Sequence, residues 1–222
     1  KIKYLTSYAT IWEADAKKMG CVNPLPVLEK GFITFGTLTR AIRINDDVIK
    51  AWSKILKRVK NSKLVINNRA FDNRLASKVL IERFEEENIS CNRLDIGYQS
   101  PPWDLMRQID IALDCFPHNS GTTLIEHLYM GNPFVTFSNR PGVGKIGSSL
   151  LNAVGHNEWV ASSEEEYVQK TVNLASDIKK LATIRGSLRR EVEQSPIMDH
   201  EGFVCELESP YQTMWYNYLK RE

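Results

Sequence analysis

A doubly wound α/β fold, a parallel sheet covered by helices on both faces, is what this 222-residue sequence predicts. Three observations carry that expectation. From Gly31 onward, short β-rich runs alternate with longer stretches whose apolar residues recur at helical spacing. Helices between successive strands are what a parallel sheet requires, since neighbouring parallel strands cannot be joined by a tight turn. A composition of 42% hydrophobic and 25% charged residues suits a globular domain with a sizeable core.

In chain order, the first 30 residues, with Pro24 and Pro26, read as an extended arm. Strands are expected at 32–35, 64–67, 94–97, 111–114, 134–137 and 159–160. The helix expected at 46–59 has a stripe of Val48, Ile49, Trp52, Ile55 and Leu56, and that at 73–88 has one of Leu75, Val79, Leu80 and Phe84. Residues 163–184 and 188–194 are charged helix formers. The segment 202–218 is aromatic-rich, with Phe203, Leu207, Tyr211, Met214, Trp215 and Tyr218. The expected organisation is an arm at 1–30, a doubly wound Rossmann-like domain at 31–195, and a C-terminal amphipathic helix at 196–222 that packs on it.

Bulk properties exclude several classes. Lys and Arg total 29 against 27 Asp and Glu, and a net charge of +2 gives no reason to expect a nucleic-acid partner. Cys21, Cys91, Cys115 and Cys205 are scattered with no C-x-x-C pair, which fits a reduced, cytoplasmic setting. No apolar stretch approaches the ~20 residues of a membrane span. The absence of an initiating Met suggests a piece of a longer polypeptide. His118, His127, His156 and His200 lack ligand spacing such as H-E-x-x-H, so no metal is expected. No G-x-S-x-G elbow, phosphate loop or G-x-G-x-x-G fingerprint follows the first strand, which argues against hydrolase, ATPase and dehydrogenase chemistry.

In a doubly wound sheet the ligand lies beyond the carboxyl ends of the strands, so the loops there carry the functional signal. After the fourth expected strand, Asn119, Ser120, Gly121, Thr122 and Thr123 precede a helix containing Glu126. Hydroxyls and backbone amides at a helix N-terminus can hold a diphosphate. The same pattern also serves simple helix capping, and Glu126 also suits the positive end of the helix dipole. After the first strand, Arg40 and Arg43 offer cations that could stabilise a leaving diphosphate, or could be solvated surface residues. Trp103, behind Pro101 and Pro102, could stack on a base or close its loop onto the core. Lys145 stands in a Gly-rich loop after the fifth strand, as a phosphate ligand or a surface lysine.

The runs ITFGTLTRAIRINDDVIKAWSKILKRVKNSKLVI, RLDIGYQSP, DIALDCFPHNSGTTLIEHLYMGNPFVT, KIGSSLLNAVG, SPIMDHEGF and YQTMWYNYL follow one another collinearly. In that order the chain resembles the C-terminal catalytic lobe of the O-linked N-acetylglucosamine transferases, particularly their bacterial relatives. The resemblance implies a GT-B enzyme with two Rossmann-like lobes, the C-terminal one binding a UDP-sugar. The sugar would pass to a Ser or Thr hydroxyl of an acceptor protein, with inversion and without a metal. Arg40 falls where the family usually has a Gln near the phosphates, and Arg43 where it has a Lys on the diphosphate. Thr122 and Thr123 match the paired Thr on the β-phosphate, and Glu126 an Asp on the ribose. Gly121 replaces a His of the animal enzymes, and the Pro102–Trp103 neighbourhood replaces a His against the uracil. The resemblance also implies an N-terminal lobe and tetratricopeptide helices outside this sequence, without which the chain would bind donor but transfer it poorly. Two other readings stay open: a related N-linked UDP-hexose transferase, and an interaction module whose aromatic tail docks a partner.

Overall fold

The structure is a computed structural model that describes residues 13–220. Six strands, β1 (Ile33–Thr37), β2 (Ser62–Asn67), β3 (Leu94–Gly97), β4 (Ile111–Leu113), β5 (Phe134–Phe137) and β6 (Val160–Ala161), form one sheet in the order β3-β2-β1-β4-β5-β6. All neighbours are parallel. The helices are α1 (Glu13–Met19), α2 (Val27–Lys30), α3 (Asp46–Arg58), α4 (Arg74–Glu86), α5 (Trp103–Met106), α6 (Thr122–Tyr129), α7 (Ile146–Ala153), α8 (Glu164–Ser176), α9 (Ile178–Glu193) and α10 (His200–Leu219). This is the Rossmann-like doubly wound arrangement of a GT-B lobe, in which strand order reverses between β1 and β4.

The central strands are buried on both faces, as an apolar parallel strand between helical layers must be. Gly36 in β1 is required by packing: a Cβ there would fall 2.2 Å from Ile109 Cδ1. Helix α3 starts on Asn45, whose side chain accepts from Val48 N, and Asp46 and Asp47 favour its positive end. Its expected stripe of Val48, Ile49, Trp52, Ile55 and Leu56 is wholly buried. Trp52 also donates through Nε1 to Tyr167 Oη at 3.1 Å, and Tyr167 in turn donates to the Asp114 carbonyl at 2.9 Å. That chain of bonds links α3, α8 and the end of β4.

Elsewhere local expectation is corrected. In α4 only Leu80 and Phe84 are buried, while Leu75 is 68% exposed, because this helix covers the edge strand β3 and half its stripe overhangs. Within 163–184 the helix breaks at Asp177, whose side chain caps α9 by accepting from Lys180 N. Helix α9 then runs without interruption through 185–187. Arg185 holds that turn: it is 1% exposed and donates to the carbonyls of Asn23 and Ile109 and to Asn132 Oδ1.

The arm is not simply extended either. Its residues 1–12 lie outside the described ones, but Glu13–Met19 is helical and Val27–Lys30 adds a turn. Met19 and Leu25 are buried, and the carboxylate of Asp110 ties Val27 N to Thr34 N. The tail forms the expected helix, α10, yet none of its residues is buried, and Tyr211, Trp215 and Tyr216 stand exposed. Its apolar residues wind around the helix instead of lining one face, so no side of it seals against the lobe. Among the described residues no helix is long and apolar enough to cross a membrane, and no group of His, Cys, Asp or Glu is arranged to hold a metal ion.

Candidate functional site

Where strand order reverses, the loops leaving β1 and β4 diverge and open a crevice beyond their carboxyl ends. Three contacts hold the two loops together. Ser120 Oγ donates to Thr39 Oγ1 at 3.0 Å, Asn45 Nδ2 donates to the Phe116 carbonyl at 2.9 Å, and Arg43 Nη2 lies 3.1 Å from His118 Nε2. A guanidinium has only donors, so His118 Nε2 accepts and the ring proton sits on Nδ1. Burial lowers the His118 pKa, and the charges of Arg43, Arg140 and Arg40 lower it further, which keeps the ring neutral. Arg40, Ile42, Arg43, Asn45, Phe116, Pro117 and His118 line one open cleft.

Beneath this cleft lies a buried polar scaffold. Asp114, at the end of β4, accepts through Oδ1 from Cys115 N and Ser120 N, both at 2.8 Å, and through Oδ2 from Thr136 Oγ1 at 2.7 Å. Desolvation pushes its carboxyl up to about 7, against the pull of these donors. Asn119 donates to the Cys115 carbonyl and accepts from Gly147 N, joining the loop after β4 to the start of α7. Gly147 is needed here, since a Cβ would stand 2.2 Å from Thr136 Oγ1 and 2.9 Å from Asp114 Oδ2.

The residues singled out from sequence separate on this frame. Arg43 is half-buried in the cleft and Arg40 is exposed on its rim. Thr122 and Thr123 open α6, exposed and half-buried respectively. Gly121 is the N-cap and brings no side chain to the helix start, and the Ser120 hydroxyl is turned to Thr39. Arg43 and the start of α6 thus share one rim, joined through the loop 114–121. Glu126 is half-buried one turn into α6, and Lys145 is exposed at the N-terminus of α7.

Three sequence-derived candidates take other places. Asn119 and Ser120 are buried, with their side chains engaged inside the protein, so they shape the loop from below. Trp103 packs half-buried against the core, as in the alternative that it closes its loop. His118, Arg140 and Asp114 were not picked out. The Arg43–His118 pair spans 75 residues, and no local spacing announces it.

The profile of glycosyl transferase family 41 matches residues 26–207. The probable UDP-N-acetylglucosamine–peptide N-acetylglucosaminyltransferase SPINDLY of Arabidopsis thaliana is 37% identical over 207 residues, covering 91% of this chain and 23% of that protein. Its counterpart from Eustoma exaltatum subsp. russellianum is 35% identical over 205 residues, 90% of this chain and 22% of the relative. The chain therefore spans less than a quarter of the curated relatives' length. Among solved structures, a point mutant of the Thermobaculum terrenum O-GlcNAc transferase superposes with a TM-score of 0.78 at 32% identity, covering 84% of this chain and 36% of that one. With the switch-point crevice, the Rossmann-like sheet and a family match across most of its length, this chain belongs to glycosyl transferase family 41.

Proposed function

We propose that this chain is the donor-binding lobe of a protein O-glycosyltransferase that uses UDP-N-acetylglucosamine, inverts the anomeric centre and needs no metal. Transfer to a Ser or Thr hydroxyl then requires an N-terminal lobe supplied by a longer protein. The observation that carries this reading is Arg43, set by His118 on the same rim as the uncapped start of α6. When the sugar–phosphate bond breaks, negative charge builds on the departing diphosphate. A fixed guanidinium and the first-turn amides and hydroxyls of α6 stabilise that charge as it forms. Arg40 and Arg140, whose charges also reach His118, add to the positive field and make a divalent cation unnecessary. The peptide N-acetylglucosaminyltransferase names of the relatives support the choice of donor and acceptor.

Calorimetric titration with UDP tests the lobe directly. Saturable binding that weakens as salt rises is expected, and no saturable binding at millimolar nucleotide defeats the proposal. Competition among UDP-sugars tests the choice of N-acetylglucosamine. Proton NMR of the sugar anomer formed by the full-length enzyme tests inversion.

A further inference from the structure

We propose that Tyr167 is a positioning residue for the donor diphosphate: its hydroxyl fixes the turn that leaves β4, and that turn sets where His118 holds Arg43. This inference rests on the donor-lobe reading above. Three successive carbonyls at the end of β4 are each held by a side chain. Tyr167 Oη donates to the Asp114 carbonyl, Asn119 Nδ2 to that of Cys115 and Asn45 Nδ2 to that of Phe116, each at 2.9 Å. Asn119 belongs to the turn itself and Asn45 to the loop after β1. Tyr167 comes from α8, is fully buried, and ties the turn to a helix packed against the sheet.

The direction of the Tyr167 bond is forced. Trp52 Nε1 can only donate, so at 3.1 Å it makes the Tyr167 oxygen an acceptor and leaves the single hydroxyl hydrogen for Asp114. Burial, and after it the Asp114 charge, hold the Tyr167 pKa well above the ordinary phenol value, so that hydrogen stays in place. The ring adds a second hold. It meets the Phe116 ring edge-on with centroids 5.5 Å apart, and Phe137 of β5 meets Phe116 in the same manner at 5.2 Å. Phe116 and His118 line the cleft, and Tyr167 does not. Its influence on a bound diphosphate is therefore transmitted through the turn. With the Asp114 carbonyl released, the peptide planes that follow can rotate, and the imidazole no longer presents its acceptor to Arg43.

The test is calorimetry with UDP on the intact chain and on Tyr167→Phe, Trp52→Phe and Arg43→Ala. Tyr167→Phe removes only the hydroxyl. Replacing Tyr167 by para-fluorophenylalanine refills that volume without a donor, and serves if the first variant lacks native circular dichroism. UDP affinity is expected to fall about three- to tenfold in either, the scale of one hydrogen bond. Trp52→Phe also opens the buried chain of bonds and lowers the melting temperature, yet it leaves the bond to Asp114 in place, so affinity should stay within about twofold. Placed in the Arg43→Ala chain, Tyr167→Phe should weaken UDP binding no further, because the contact it serves is already gone. Unchanged affinity in a folded Tyr167 variant overturns the inference. So does an equal loss in Trp52→Phe, the mark of a general loosening, or a full further loss on top of Arg43→Ala. Failure of the unaltered chain to bind UDP overturns the donor-lobe reading itself.

Discussion

The buried group around Asp114 and the open group around Arg43 meet at the same end of the sheet, yet differ in what surrounds them. Asp114, Asn119, Ser120 and Thr136 exchange hydrogen bonds with one another or with nearby backbone, all at 8% exposure or less. Arg40, Arg43, Thr122 and Lys145 stand half-buried or exposed around the crevice. On the function proposed above, one group sets the shape of the rim and the other offers charge and donors to a bound diphosphate. The run DCFPHNSGTT holds members of both kinds within nine positions, Asp114, Asn119 and Ser120 buried and Thr122 exposed, so similarity of residue type does not separate them. Substitutions in the first group are therefore expected to change stability, and those in the second to change affinity alone.

The largest effect belongs to Asp114. Asp114→Ala leaves two backbone amides and the Thr136 hydroxyl without their acceptor, which should cost about 3 kcal/mol or more, read as a lower melting temperature. An unchanged melting temperature would break the comparison. Charge at this position has a sign that pH reveals. The folded pKa of about 7 lies above the unfolded value near 3.9, so the folded state keeps a proton that the unfolded state has released. The stability this gives is complete below about pH 4 and is lost as pH rises through 7. Asp114→Asn does not titrate, and the Thr136 hydroxyl can rotate to accept from the new amide. Its stability relative to the parent should therefore rise between pH 4 and 8 in denaturant melts, and a fall over that range would refute the assignment.

Arg43→Ala comes next, on the other side of the comparison. UDP affinity should drop about 10- to 100-fold, the range for one charge-assisted contact, while stability changes by less than about 0.5 kcal/mol. Calorimetry and thermal melting on the same sample check both halves. A large loss of stability would move Arg43 into the scaffold.

How much of this was legible in sequence depended on how local its cause was. The α3 stripe was readable because one face of one helix meets the sheet, and all five of its residues are buried. The α4 stripe misled because its helix lies over an edge, a fact set by strand order and not by periodicity. The continuity of α9 rests on Arg185 reaching residues as far away as Asn23, 162 positions earlier, and no window holds both. At the site, the cations and the Thr122–Thr123 pair were visible because they lie in strand-end loops or at the helix start that follows one. The roles of Asn119, Ser120 and His118 were not, since each is decided by a partner from another strand's loop.

His118 sharpens the comparison, since it belongs to neither group cleanly. It is half-buried and holds Arg43 through a ring nitrogen that must accept. His118→Ala should release the guanidinium and weaken UDP binding about three- to tenfold, the scale of one hydrogen bond. His118→Gln, whose amide oxygen can accept in the same place, should recover most of that loss. Equal losses in both variants would show that the ring itself, and not its acceptor, matters.

The smallest effect is expected at Lys145. Its side chain is exposed at the start of α7, where water and salt screen a charge to about 1 kcal/mol or less. Lys145→Ala should therefore weaken UDP binding by no more than about fivefold at low ionic strength, with no measurable difference at 0.5 M salt. A salt-resistant loss of tenfold would mean that the loop after β5 closes over the ligand and buries this lysine. The open group would then include a residue that joins it only when the site is filled, and the division between shape and charge would depend on occupancy.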